Sequence, residues 1–160
     1  MKFSFAFIIF IFPLLDCSAC NSEFVTPPEV AIQENQNENA ENMKDTITIT
    51  IGDKVFTATL EANATASAFK VMLPLTVKMT ELNGNEKFFD LSNSLPTNSS
   101  NPRTINSGDI MLWGSNTLVI FYKTFSTSYG YTRVGKIENP RGLENALGSG
   151  HVTVVFKLQK

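Results

Sequence analysis

A chain of 160 residues, 42% hydrophobic and 18% charged with a formal net charge of −2, has the size of one domain and the composition of a globular protein. It lacks the basic excess of a nucleic-acid binder, so no nucleic-acid partner is expected. The charge is uneven, however: residues 21–45 carry six acids and one base, and residues 46–160 carry eleven bases and eight acids, so an acidic segment precedes a mildly basic one.

Residues 1–20 read as an export signal. Lys2 supplies the positive start, and Phe3–Leu15 is apolar except for Ser4 and Pro13. That run suits a signal peptide and is shorter than the roughly 20 residues a spanning helix needs. Pro13 breaks the helix just before the cleavage zone. Both cysteines, Cys17 and Cys20, lie at the tail of this leader, whereas a C-x-x-C redox pair belongs inside a folded domain. The stretch Cys17-Ser18-Ala19-Cys20 resembles a bacterial lipoprotein cleavage box, and Asp16 is a poor residue before a cleavage site, which favours Cys20. The resemblance implies a lipidated Cys20 that holds an exported, cell-envelope protein to a bacterial membrane. Acyl chains on both thiol and amine exceed the two signals that stable anchoring takes. Cleavage near Ala19 to give a plain secreted protein is the alternative.

Residues 21–45 contain Pro27-Pro28 and a run from Gln33 to Asn39 of Gln, Glu and Asn alone. Few aromatic or β-branched residues are present, so this stretch cannot bury enough surface to offset ordering entropy. It reads as a disordered acidic tether.

The folded domain is expected over residues 46–160. Ile47, Ile49 and Ile51 alternate with threonines, which predicts a half-buried strand. Gly52-Asp53-Lys54 turns the chain into a second strand, Val55–Leu60, making a hairpin. Asn63-Ala64-Thr65 offers cap oxygens for a short helix over Ala66–Leu73, which Pro74 stops. Leu75–Leu82 alternates again, Asn83-Gly84 signals a type I′ turn, and Glu86–Asp90 pairs back. Residues 92–107 read as a long polar loop. Strands follow at Asp109–Trp113, Leu118–Tyr122, Tyr131–Ile137 and His151–Leu158, with a helix at Leu143–Leu147 ending at Gly148. Eight short strands with tight turns predict a mainly β fold, a closed barrel or sandwich.

The chemistry that the domain lacks is equally legible. His151 is the single histidine and no cysteine follows residue 20, so no zinc site, other metal or cofactor is expected. No Gly-x-Ser-x-Gly elbow and no phosphate-binding glycine loop appears. The segment Lys123–Arg133 clusters aromatics, hydroxyls and two cations, a mix that suits a concave site; packing at the barrel mouth is the plainer reading. Trp113, at a strand end beside Gly114, reads as a core plug, with a ligand platform as the alternative.

Three stretches then resemble the second half of a cyclophilin barrel: Ser107-Gly108-Asp109-Ile110-Met111, Leu118-Val119-Ile120-Phe121-Tyr122, and Tyr131-Thr132-Arg133-Val134-Gly135-Lys136-Ile137. Ala64–Phe69 resembles the first cyclophilin helix, and the opening Ile-Thr-Ile pattern is similar to that of small bacterial cyclophilin-like proteins. The resemblance covers nearly all of residues 46–158. It implies a closed cyclophilin-like β-barrel of about eight strands with two short helices. Cyclophilins speed prolyl isomerisation, against a barrier of about 18–20 kcal/mol, with an arginine in a Phe-His-Arg motif. The matching region, Leu75–Asp90, has no arginine, no histidine and no Gln-Gly-Gly. The family's pocket histidine falls near Tyr131 and its phenylalanine near Phe121 or Tyr122.

The expectation is therefore a binding or accessory module whose groove is lined by Phe121, Tyr122, Tyr129, Tyr131 and Arg133 and takes a peptide or small molecule. The competing expectation is a prolyl isomerase in which Arg133, sharing a strand face with Tyr131 and Gly135, replaces the missing cation. Arg103 is a second candidate.

Overall fold

The computed structural model of the protein describes residues 45–159. The expected export signal, the lipidation site Cys20 and the tether up to residue 44 lie outside them.

Among the described residues, ten strands and two helices follow in chain order. β1 (Thr46–Ile51) and β2 (Lys54–Leu60) form the first hairpin, then come α1 (Ala64–Val71), β3 (Leu75–Leu82) and β4 (Glu86–Asp90). The second half holds β5 (Thr104–Ile105), β6 (Asp109–Trp113), β7 (Thr117–Phe121), β8 (Phe125–Ser126), β9 (Thr132–Ile137), α2 (Leu143–Leu147) and β10 (Val152–Leu158). Eight strands close a barrel in the order β1-β10-β3-β4-β7-β6-β9-β2. This is the mainly β fold that the alternation predicts, and of its two alternatives, barrel or sandwich, it is the closed barrel with two short helices that the cyclophilin resemblance implies.

Local chemistry explains the elements. Ile47, Ile49 and Ile51 are buried in the barrel, and the threonines between them are not. Asn83 and Gly84 both have positive φ, 57° and 68°, as a type I′ turn requires. Asn63 caps α1 by accepting the Ala66 N–H at 2.8 Å, so the helix starts and stops two residues before the expected range. From α1, Phe69 plugs the barrel and meets Phe156 edge-on, with ring centres 5.5 Å apart.

Two features depart from expectation. Residues 92–107 are not a plain loop. Thr104 and Ile105 pair with Ser126 and Phe125, and Ser100 bridges to Tyr131. This stretch is thereby fastened to the segment around residues 125–131, and together they cover part of the barrel's outer face. Ile105, Met111, Val119, Phe121 and Tyr131 form a second apolar cluster there, separate from the barrel core. Strands β6 and β7 are thus buried on both faces, which explains their nearly unbroken apolar runs. The second departure is a bulge. Ile110 pairs with Gly135, but Met111 pairs with Arg133, a shift of one residue. The extra residue breaks the alternation of β9. Gly135 consequently shares the inner face with Ile110, while Arg133 shares the outer face with Met111, so the expected common face of Arg133 and Gly135 does not exist. A β-carbon on Gly135 would lie 2.6 Å from the Thr59 carbonyl oxygen, so glycine is what allows β9 to approach β2.

Candidate functional site

Strand β4 reads Glu86-Lys87-Phe88-Phe89-Asp90, and its pleat sends alternate side chains to opposite faces. Glu86, Phe88 and Asp90 face outward, opposite Phe121, Val119 and Thr117 of β7. They help line a groove of about 620 Å³. Phe88 and Val119 lie along the strands. The β3–β4 turn contributes Leu82 and Asn83, the end of β6 contributes Trp113, and the segment before β9 contributes Tyr129 and Tyr131. The rim is apolar and exposed: Trp113 is 53% and Tyr129 67% accessible, and Leu82 is also exposed.

Glu86 is the unusual group. Its side chain lines the groove, yet the residue is only 8% exposed. Among the described residues its carboxyl has no hydrogen-bond or ion-pair partner. Burial, and then the charge of Glu81, push its carboxyl up to about 7. Burial, and then the charge of Glu86, likewise raise the Tyr131 phenol. Asp90, further along β4, accepts the Thr117 hydroxyl at 2.6 Å. Among the described residues that line the groove there is no lysine, arginine or histidine.

The opposite face of β4 carries a separate polar cluster. Lys87 is fully buried. Its ammonium donates to the Gly148 and Gly150 carbonyls at 2.8 and 2.6 Å and lies 2.6 Å from Glu81 Oε2. The Tyr122 hydroxyl donates to Glu81 Oε1 at 2.7 Å. Burial alone would raise the Glu81 carboxyl, but hydrogen bonds from Lys87 and Tyr122 and the charge of Lys87 hold it below its ordinary value. Burial, and then its bond to Glu81, push the Tyr122 phenol well above its ordinary range.

The structure brings together only part of the expected set. Tyr129 and Tyr131 line the groove. Phe121 lies beneath it, wholly buried, with its ring edge-on to Tyr131 at 5.5 Å. Tyr122, the next residue in sequence, packs against the barrel core instead, so Phe121 and Tyr122 cannot share one wall. Arg133 is exposed on β9 and is not a groove residue; its carbonyl accepts the Asn63 amide at 2.9 Å. Arg103 and His151 are exposed elsewhere. Trp113 is a rim residue rather than a core plug, because the paired loops do not cover the tip of the β6–β7 hairpin. Sequence reasoning missed Glu86, Phe88 and Asp90. Their alternation was visible, but a buried lysine on the other face hides which side is inner.

Among the described residues, no three histidine, cysteine or carboxylate side chains are grouped to hold a metal. A family model described as the cyclophilin-like family matches residues 49–157. No curated protein and no solved structure matches the chain.

Proposed function

The chain belongs to the cyclophilin-like family, and from that premise we propose that its barrel is a ligand-binding module that holds a peptide or small molecule in the groove on β4, β6 and β7. One observation carries this reading: a concave, aromatic-rimmed surface holds the carboxyl of a largely buried glutamate that no described residue pairs. Exposed apolar groups around a few placed polar atoms are the usual make-up of a ligand site. Trp113 is the single tryptophan of the chain, so occupancy should change its fluorescence.

Binding is favoured over prolyl isomerisation on charge. The cyclophilin resemblance calls for an arginine from the region Leu75–Asp90, and that region presents Glu86 and Asp90 to the groove instead. Neither carboxyl carries the fixed positive charge that an arginine brings to a prolyl nitrogen. Proline-peptide isomerisation with the purified protein should run at the background rate. Catalysis that disappears on Arg133→Ala would overturn this reading.

The module is further proposed to be exported and lipid-anchored through Cys20 to a bacterial cell envelope, on the strength of the leader Lys2–Leu15 and the Cys17–Cys20 box. Mass spectrometry of the mature N-terminus should find acyl mass on Cys20. A free amine at residue 20 or 21 without acyl mass would leave a secreted protein.

A further inference from the structure

Resting on the groove as a ligand site, we propose that its occupant is a peptide that inserts a lysine or arginine side chain against Glu86. The charges of the groove point to a cation. Its two charged lining residues are Glu86 and Asp90, both acidic, although residues 46–160 carry three more bases than acids. Glu86 as a residue is more than nine-tenths buried, and its carboxyl faces the groove without a hydrogen-bond or ion-pair partner among the described residues. Its carboxyl oxygens open into the groove rather than onto a protein donor, so a cationic ligand group is the partner that would favour the ionised form.

The surrounding groups narrow the class to an organic cation. Phe88, Trp113, Tyr129 and Tyr131 offer aromatic faces, which attract ammonium and guanidinium groups and contact their alkyl stems. Glu86 and Asp90 lie four residues apart on one strand, about 13 Å by strand rise, too far to share one metal ion. The rim then favours a peptide over a free amine. Asn83, Asn116 and Thr117 line the groove beside the aromatics and can meet a peptide backbone with donors and acceptors.

The interaction has a built-in proton dependence. The titratable groups around Glu86 are Glu81 from β3, Asp90 on β4, and the phenols of Tyr131 and Tyr122. Lys87 is directed to the other face and engaged by Glu81. A cationic side chain needs Glu86 ionised, so binding should release a proton near pH 7.

The test is a titration of the purified protein followed by Trp113 fluorescence and calorimetry. The probes are a capped lysine- and arginine-containing tetrapeptide, the same peptide with glutamate at the basic positions, a neutral Ala-Pro peptide, and agmatine. The basic peptide should bind at least about tenfold more tightly than the others. Its affinity should fall about tenfold per pH unit below 7 and level off above. Glu86→Gln should weaken it about tenfold or more and abolish the pH dependence, while Asp90→Asn should weaken it without removing that dependence. Tighter binding of the neutral or acidic peptide would overturn the cation and keep the groove. Agmatine binding as tightly as the basic peptide would overturn the peptide and leave a small amine. No response to any probe would overturn both this proposal and the groove as a binding site.

Discussion

Glu86 is costly to the fold. The unfolded chain releases its proton near pH 4.5, but in the folded protein burial and Glu81 raise that value to about 7. Between those values the folded state holds a proton that the unfolded state has lost, so stability falls as pH rises through this window. Glu86→Gln should therefore raise stability at pH 8 by about 2–3 kcal/mol and change little below pH 4.5. Thermal melting of both proteins across that range would show it; a pH-independent difference would refute the titration. A residue whose removal stabilises the fold fits one kept for binding. Lys87, its neighbour, behaves in the opposite way. Removing its ammonium leaves Glu81 without its counter-charge and the Gly148 and Gly150 carbonyls without their donor. Lys87→Met should cost about 3–5 kcal/mol, read as a lower urea midpoint. These adjacent residues also mark the limit of sequence reading. Two charged side chains in a row give no hint that one fills the barrel interior and the other floors a groove.

At the scale of elements, the sequence was most informative where one face is buried. β1 alternates cleanly because its other face meets solvent, and the Asn83-Gly84 turn follows from its backbone demands. Strands covered on both sides lose that signal, so the layer over β6 and β7 was illegible. β5 and β8 have two residues each, too few for any period. Ile105 and Phe125 are isolated apolar residues in polar stretches, and only their pairing shows that they belong to one cluster. Ile105→Ala should cost about 2–4 kcal/mol. It should also weaken ligand binding, although residue 105 does not line the groove, because the cluster supports Tyr131. A substitution that left both melting temperature and affinity unchanged would count against that support. The bulge in β9 was equally hidden. Gly135→Ala should destabilise the barrel by about 1–3 kcal/mol, since the new methyl meets the backbone of Thr59 rather than a movable side chain.

On the scale of the whole molecule, closure of the sheet leaves none of the eight barrel strands with a bare edge. The eight barrel strands lie within residues 46–158, and the family match falls inside the same span. Residues 45–160 expressed alone should therefore unfold cooperatively at the melting temperature of the full chain. A drop of more than a few degrees would mean that earlier residues contribute to the core.

The strand order has a mechanical consequence. In the eight-strand ring β1 and β7 are four strands apart in either direction, so the chain enters the barrel on the side opposite the groove. β1 is hydrogen-bonded along its length to both β2 and β10. Tension applied through the preceding residues loads those two ladders first, and the strands that form the groove last. A ligand held there would stay seated while the N-terminal segment is pulled, until the β1 ladders themselves give way.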